Sequence, residues 1–199
     1  MACPRVFEDE MAPGWKQVTL FNPDFEKPAA ISVELAGQQL SGALGLDPHA
    51  AYYFYDFWND RFVGRLAGRA RLRQTLDAGE ARVLSVHRVE KNPQVLSTNR
   101  HVTQGAVDMT RWPRWNAGAR RLTGASAVVG GEPYVMVMAG NGFTPVSAAA
   151  SGAAIQIEPL SGYPDLVRVV LQAEGNRVVP WMMTWRIGGL RPSSGPFDQ

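Results

Sequence analysis

Apolar residues recur at every second position through most of this chain, and Gly or Pro breaks each run before it grows long. Val18 and Leu20 alternate with Gln17 and Thr19, and Ile31, Val33 and Leu35 alternate with Ser32 and Glu34. A period of two puts one set of side chains on one face of an extended strand, while a helix needs a period near 3.6. Helical periodicity is scarce. The stretch from Leu40 to Leu46 is the one irregular or helical candidate, and Gly42 and Gly45 argue against a stable helix there. It reads as a loop feeding the next strand.

Further strands are expected over the aromatic run Tyr52 to Trp58, then Arg69 to Leu76 and Arg82 to Val89, with a turn at Gly79. Asn22-Pro23-Asp24 is another turn signal, because Pro presets φ and Asn and Asp side chains bond nearby backbone. In the second half, strands are expected over Arg121–Val129, Tyr134–Met138, Ile155–Ile157, Val167–Leu171 and Arg177–Ile187. Pro180 should mark an edge or a bulge in the last of these. Many short strands with regular Gly and Pro turns imply sandwiches. The expected fold is all-β: two antiparallel β-sandwich units in tandem, with few or no helices. Residues 1–13 read as a connecting segment and 14–91 as the first sandwich. A polar junction follows at 92–108, then a second unit at 109–189 and a flexible tail at 190–199.

Size and charge narrow the function. The 199 residues make one large or two small domains, and 45% hydrophobic content is enough for a real core. The net charge of +2, from 20 basic and 18 acidic residues, lacks the concentrated basic face of a nucleic-acid binder. Arg69, Arg71 and Arg73 would share one strand face, as a solvated surface or as a site for an anionic partner. One cysteine, Cys3, excludes an internal disulfide. No apolar run reaches membrane-helix length, and no hydrophobic signal core follows Met1, so a soluble chain without signal peptide is expected. The compartment is not legible. The opening residues read as mid-protein.

The search for chemistry returns little. His49, His87 and His101 have no metal-ligand spacing, so neither a metal nor a cofactor is expected. No nucleophile elbow and no phosphate loop is present. Paired carboxylates could serve a glycosidase, and Asp56, Trp58 and Asp60 would share a strand face. An aromatic plate between carboxylates can grip a sugar, with the ring on its C–H face and oxygens on its hydroxyls. The plain alternative is a strand end with a packed Trp and turn-capping Asp residues. Asn99, Arg100, His101, Thr103 and Gln104 form a second polar cluster. They either satisfy backbone in an irregular connection or contact a sugar or a neighbouring domain.

Several segments resemble the region after the barrel in glycoside hydrolase family 36-like proteins of the alpha-galactosidase (melibiase) type. They are Val18-Thr19-Leu20-Phe21-Asn22 with Pro28 to Val33, Leu44-Gly45-Leu46-Asp47 leading to Tyr55-Asp56-Phe57-Trp58 and Phe62-Val63-Gly64, and Arg82 to Val86. The most distinctive is Asn92-Pro93-Gln94-Val95-Leu96-Ser97-Thr98-Asn99-Arg100-His101-Val102-Thr103-Gln104-Gly105. The resemblance runs from residue 1 to about 140. It implies a C-terminal sandwich packed against a catalytic (β/α)8 domain, or a carbohydrate as partner. In that family two aspartates on barrel strands do the chemistry, and a barrel needs roughly 250 residues. No position here matches either aspartate, so no catalytic residue is assigned. The resemblance implies a non-catalytic accessory region; the alternative is a stand-alone carbohydrate-binding module. Neither a nucleic acid nor a membrane is expected as a partner. Runs such as Tyr52–Trp58 and Tyr134–Met138 are apolar on both faces and need cover on both. Other parts of this chain, a missing domain or a second copy would supply it.

Overall fold

The computed structural model describes residues 5–39 and 42–188. It is all-β, with fifteen strands in four antiparallel sheets that make two β-sandwich units, and 1% of it is helical. No helix among the described residues is long and apolar enough to cross a membrane. The 190–199 tail and Cys3 lie outside the described residues. By its contacts the chain divides into two compact units. The first holds the residues up to Val89 together with Leu96–Met109 and Tyr134–Met136. The second holds Glu90–Val95, Thr110–Pro133 and the chain from Val137 onward.

In the first unit the strands are β1 (Val6–Ala12), β2 (Trp15–Phe21), β3 (Ala29–Glu34), β4 (Ala51–Asp56), β5 (Arg61–Ala67), β6 (Arg71–Leu76) and β7 (Ala81–Arg88). Five of them form one sheet in the order β1-β2-β7-β4-β5, and β3 pairs with β6 as a separate ribbon. Alternation decides which side chains meet. Val18, Leu20, Tyr52, Phe54, Leu84 and Val86 share one face of the large sheet, and the ribbon lays Ile31, Val33, Leu72 and Leu76 against it. Each such side chain removed from water contributes about 1.5–3 kcal/mol before entropy is subtracted. Residues 6–12, read from sequence as a connection, are instead a strand in register with β2, Val6 opposite Leu20 and Glu10 opposite Lys16. Its acidic, half-exposed character suits an edge, where charge discourages further pairing.

The opposite face of the large sheet carries Trp15, Gln17, Tyr53, Tyr55, Ser85 and His87. Residues 96–109, read from sequence as part of a junction, lie against this face. Ser85 Oγ donates to the Leu96 carbonyl at 2.6 Å. A Cβ on Gly105 would come within 3.5 Å of both Trp15 and Thr98.

The remaining strands are β8 (Gln94–Thr98), β9 (Arg111–Asn116), β10 (Arg121–Val128), β11 (Tyr134–Ala139), β12 (Phe143–Ala150), β13 (Ala154–Pro159), β14 (Leu166–Gln172) and β15 (Arg177–Ile187). They make two four-stranded sheets, β12-β15-β10-β9 and β13-β14-β11-β8. Strand β15 buries Val179, Trp181, Met183 and Trp185 at period two. Pro180 meets the expectation of an edge only locally: β15 is paired on both sides over most of its length and shows no register shift against β10, but its pairing with β12 stops at Trp181. Its carbonyl accepts from Ser151 N at 2.9 Å. In an antiparallel strand a residue's N–H and C=O point the same way, so the missing N–H faces β12 where that strand's pairing ends, at Ala150 opposite Trp181.

Candidate functional site

The β4–β5 hairpin carries the first group of candidates. Strand β4 ends at Asp56, which pairs with Arg61, and residues 57–60 form the turn between them. Asp60 takes a positive φ of 45°, a conformation that Asp tolerates better than most residues. Asp56, Trp58 and Asp60 therefore do not line one strand face; the turn begins before Trp58 is reached. Asp56 is completely buried. Its Oδ2 accepts from Asn59 Nδ2 at 2.8 Å and lies 3.3 Å from Arg82 Nε. Asp60 Oδ1 accepts from the Tyr55 hydroxyl at 2.6 Å. Both carboxylates thus hold the turn in shape.

Arg82 is the hub beneath this turn. Besides Asp56 it reaches Glu80 Oε1 at 2.6 Å through Nη2, and its Nη1 donates to Gln74 Oε1 at 2.6 Å. Partial burial works against the charge on Glu80. The Asp77 backbone N–H and the Arg82 guanidinium outweigh it and hold the carboxyl below its usual range. The network fixes the base of the hairpin while its tip points outward. There Trp58 is 63% exposed and meets Phe57 edge-on at 4.9 Å.

The second group lies on residues 97–108. Asn99 N donates to the Val135 carbonyl at 3.0 Å, and Val135 N donates back to Asn99 Oδ1 at 2.8 Å, so the side chain extends a backbone pairing. His101 Nδ1 accepts from Thr103 N at 3.2 Å, and Gln104 N donates to the His101 carbonyl at 2.7 Å. His101 is exposed and Arg100 half-buried. Gln104 turns inward at a φ of 56° and its Oε1 accepts from Ser97 Oγ at 2.9 Å. These residues chiefly satisfy backbone in an irregular run.

Sequence reasoning did not find the buried polar cluster beside them. Asp108 Oδ2 accepts from Thr98 Oγ1 at 2.8 Å and from the Tyr134 hydroxyl at 2.6 Å. His87 stacks on Trp15 at 4.7 Å, and burial drives its pKa down to about 3 against a raising bond with the Leu96 backbone. Asp108 Oδ1, Gln104 Nε2 and His87 Nε2 are buried without a hydrogen-bond partner. Apart from Gln104, already singled out, the sequence signal for this cluster is the polarity of Ser85 and His87 beside the apolar Val83, Leu84 and Val86. Among the described residues, no three His, Cys, Asp or Glu side chains are grouped as a cation site requires.

These features define an all-β protein in which Trp58 stands outward on a fixed polar turn, as Phe25 does on the turn that Asn22 and Asp24 hold. Compared with known proteins, the chain matches no family model and no curated protein.

Proposed function

We propose that this chain is a non-catalytic accessory β-sandwich region of an alpha-galactosidase-like glycoside hydrolase, which steadies the catalytic barrel or positions its substrate. The observation that carries the reading is the exposed Trp58 ring on a turn pinned by Asp56, Arg82 and Asp60. A large aromatic held rigidly in water loses little entropy when it stacks on a sugar face or on a neighbouring domain. The resemblance of residues 92–105 to the alpha-galactosidase-like segment supports the same context. The two carboxylates of this hairpin are committed to holding its turn.

The same ring favours a second reading, a stand-alone carbohydrate-binding module. A module that works alone must hold its sugar unaided, so micromolar affinity, about −8 kcal/mol, selects it, whereas millimolar contact, about −4 kcal/mol, selects the accessory role. Calorimetric titration with galactosides gives that number, and Trp58→Ala should weaken the contact about tenfold. Aryl-galactosides at high protein concentration should not turn over. Turnover that one substitution in this chain abolishes would overturn the non-catalytic assignment.

A further inference from the structure

A concave surface lies in the same unit, away from the outward hairpin tip. It encloses about 780 Å³, within the roughly 300–1,000 Å³ of small-molecule sites. Glu10, Lys16, Asp47 and Arg88 supply its charges, which sum to zero, and Gln38 and Gln39 add amides. The cations are already neutralised. Lys16 Nζ lies 2.5 Å from Glu8 Oε2 and also donates to the Leu44 carbonyl at 2.9 Å. Arg88 Nη2 lies 3.0 Å from Asp47 Oδ2. An anion entering here would have to displace a carboxylate from each.

The floor is apolar and fixed. Leu46, Tyr52 and Val86 line it, and the Tyr52 hydroxyl is held by the Asp47 N–H at 2.9 Å. Three glycines, Gly14, Gly37 and Gly45, have φ of 78°, 127° and 66°, so the wall there is bare backbone. Carboxylates, amides and capped cations side by side suit a ligand whose every polar group both donates and accepts. A hydroxyl does this, and its two bonds reinforce each other when made together. The C–H edges of a sugar ring suit the apolar floor.

We propose that this groove is a binding site for a neutral saccharide of one or two rings, separate from Trp58. Its place in the groove rests on the chemistry of the wall; the choice of a galactose-containing probe rests on the reading above.

The test is a titration of the whole chain with melibiose, followed by amide and indole NMR signals so that each surface reports separately. Saturable shifts are expected at Gly14, Gly45 and the Gln39 side-chain amide, with the same affinity in low and high salt. Gln38→Trp, which fills the mouth from an exposed loop, and Glu10→Lys should each weaken those shifts at least tenfold. Trp58→Ala should leave them intact. Movement of the Trp58 indole alone overturns the groove and leaves the hairpin reading standing. Groove shifts without any indole response support the groove and remove the sugar-platform role of Trp58. Affinity that falls steeply with salt overturns the neutral ligand, and no shift at either surface overturns both.

Discussion

His87 shows how one position in a strand can set the acid response of the protein. Its neighbours Val86 and Leu84 face the core shared with the ribbon, so the alternation sends His87 to the opposite face, onto Trp15. Burial there favours the neutral ring and lowers its pKa to about 3, while an unfolded histidine titrates near 6.5. Between those values the unfolded state binds the extra proton. Stability is therefore full above about pH 6.5 and falls on acidification, by up to about 1.4 kcal/mol per pH unit for this one group. Urea melts at pH 7, 6 and 5 measure the slope. His87→Phe keeps a ring against Trp15 and removes the titration, so its slope over that range should be flatter by most of that amount. An unchanged slope would show that another group governs the acid response.

At the scale of elements, strands β10 and β15 show what the sequence makes legible. Strand β15 alternates cleanly, and both were expected over nearly their full lengths. Strands β8, β9 and β12 escaped notice. Gln94–Thr98 is mostly polar yet buried, Pro113 interrupts β9, and β12 is a run of small residues with Pro145 in it. Their pairing is dictated by partners far along the chain. The hairpin candidates behave the same way. Asp56 and Asp60 are legible as a turn-capping pair, but Arg82, Glu80 and Gln74, which fix that turn, lie up to 26 positions away and carry no local signal. The pairing of β10 with β15 also sets a sharp steric limit. Gly124 sits opposite Trp181, and a Cβ there would come within 2.4 Å of the indole ring. That indole is buried and its Nε1 donates to Ser126 Oγ at 3.1 Å, so it has nowhere to move. Gly124→Ala should cost about 1–3 kcal/mol, as overpacking does. A thermal melt, with near-UV circular dichroism to follow the displaced indole, checks it; wild-type stability would show that Trp181 can swing aside.

Across the whole molecule, alternation identifies an all-β chain, but a boundary drawn at residue 91 follows composition. Contacts follow burial. The large sheet of the first unit is apolar on one face because of the ribbon, and its other face holds Trp15, Ser85 and His87, which residues 96–109 cover. Those residues and Tyr134–Met136 belong to the first unit although they come after 91 in the chain. A polypeptide of residues 1–91 should therefore keep its strands and lose its packing. Water would reach the Trp15–His87 stack, and the Ser85 hydroxyl would lose the Leu96 carbonyl. Exposed apolar area with secondary structure retained is the mark of a molten globule: far-UV circular dichroism kept, near-UV signal lost, and dye bound. His87 gives an independent reading. Freed from burial, its ring should titrate near its ordinary value of about 6.5 by NMR, in place of about 3 in the intact chain. A 1–91 polypeptide that unfolds cooperatively and keeps His87 neutral down to pH 4 would show that the first sandwich is complete without the later segments.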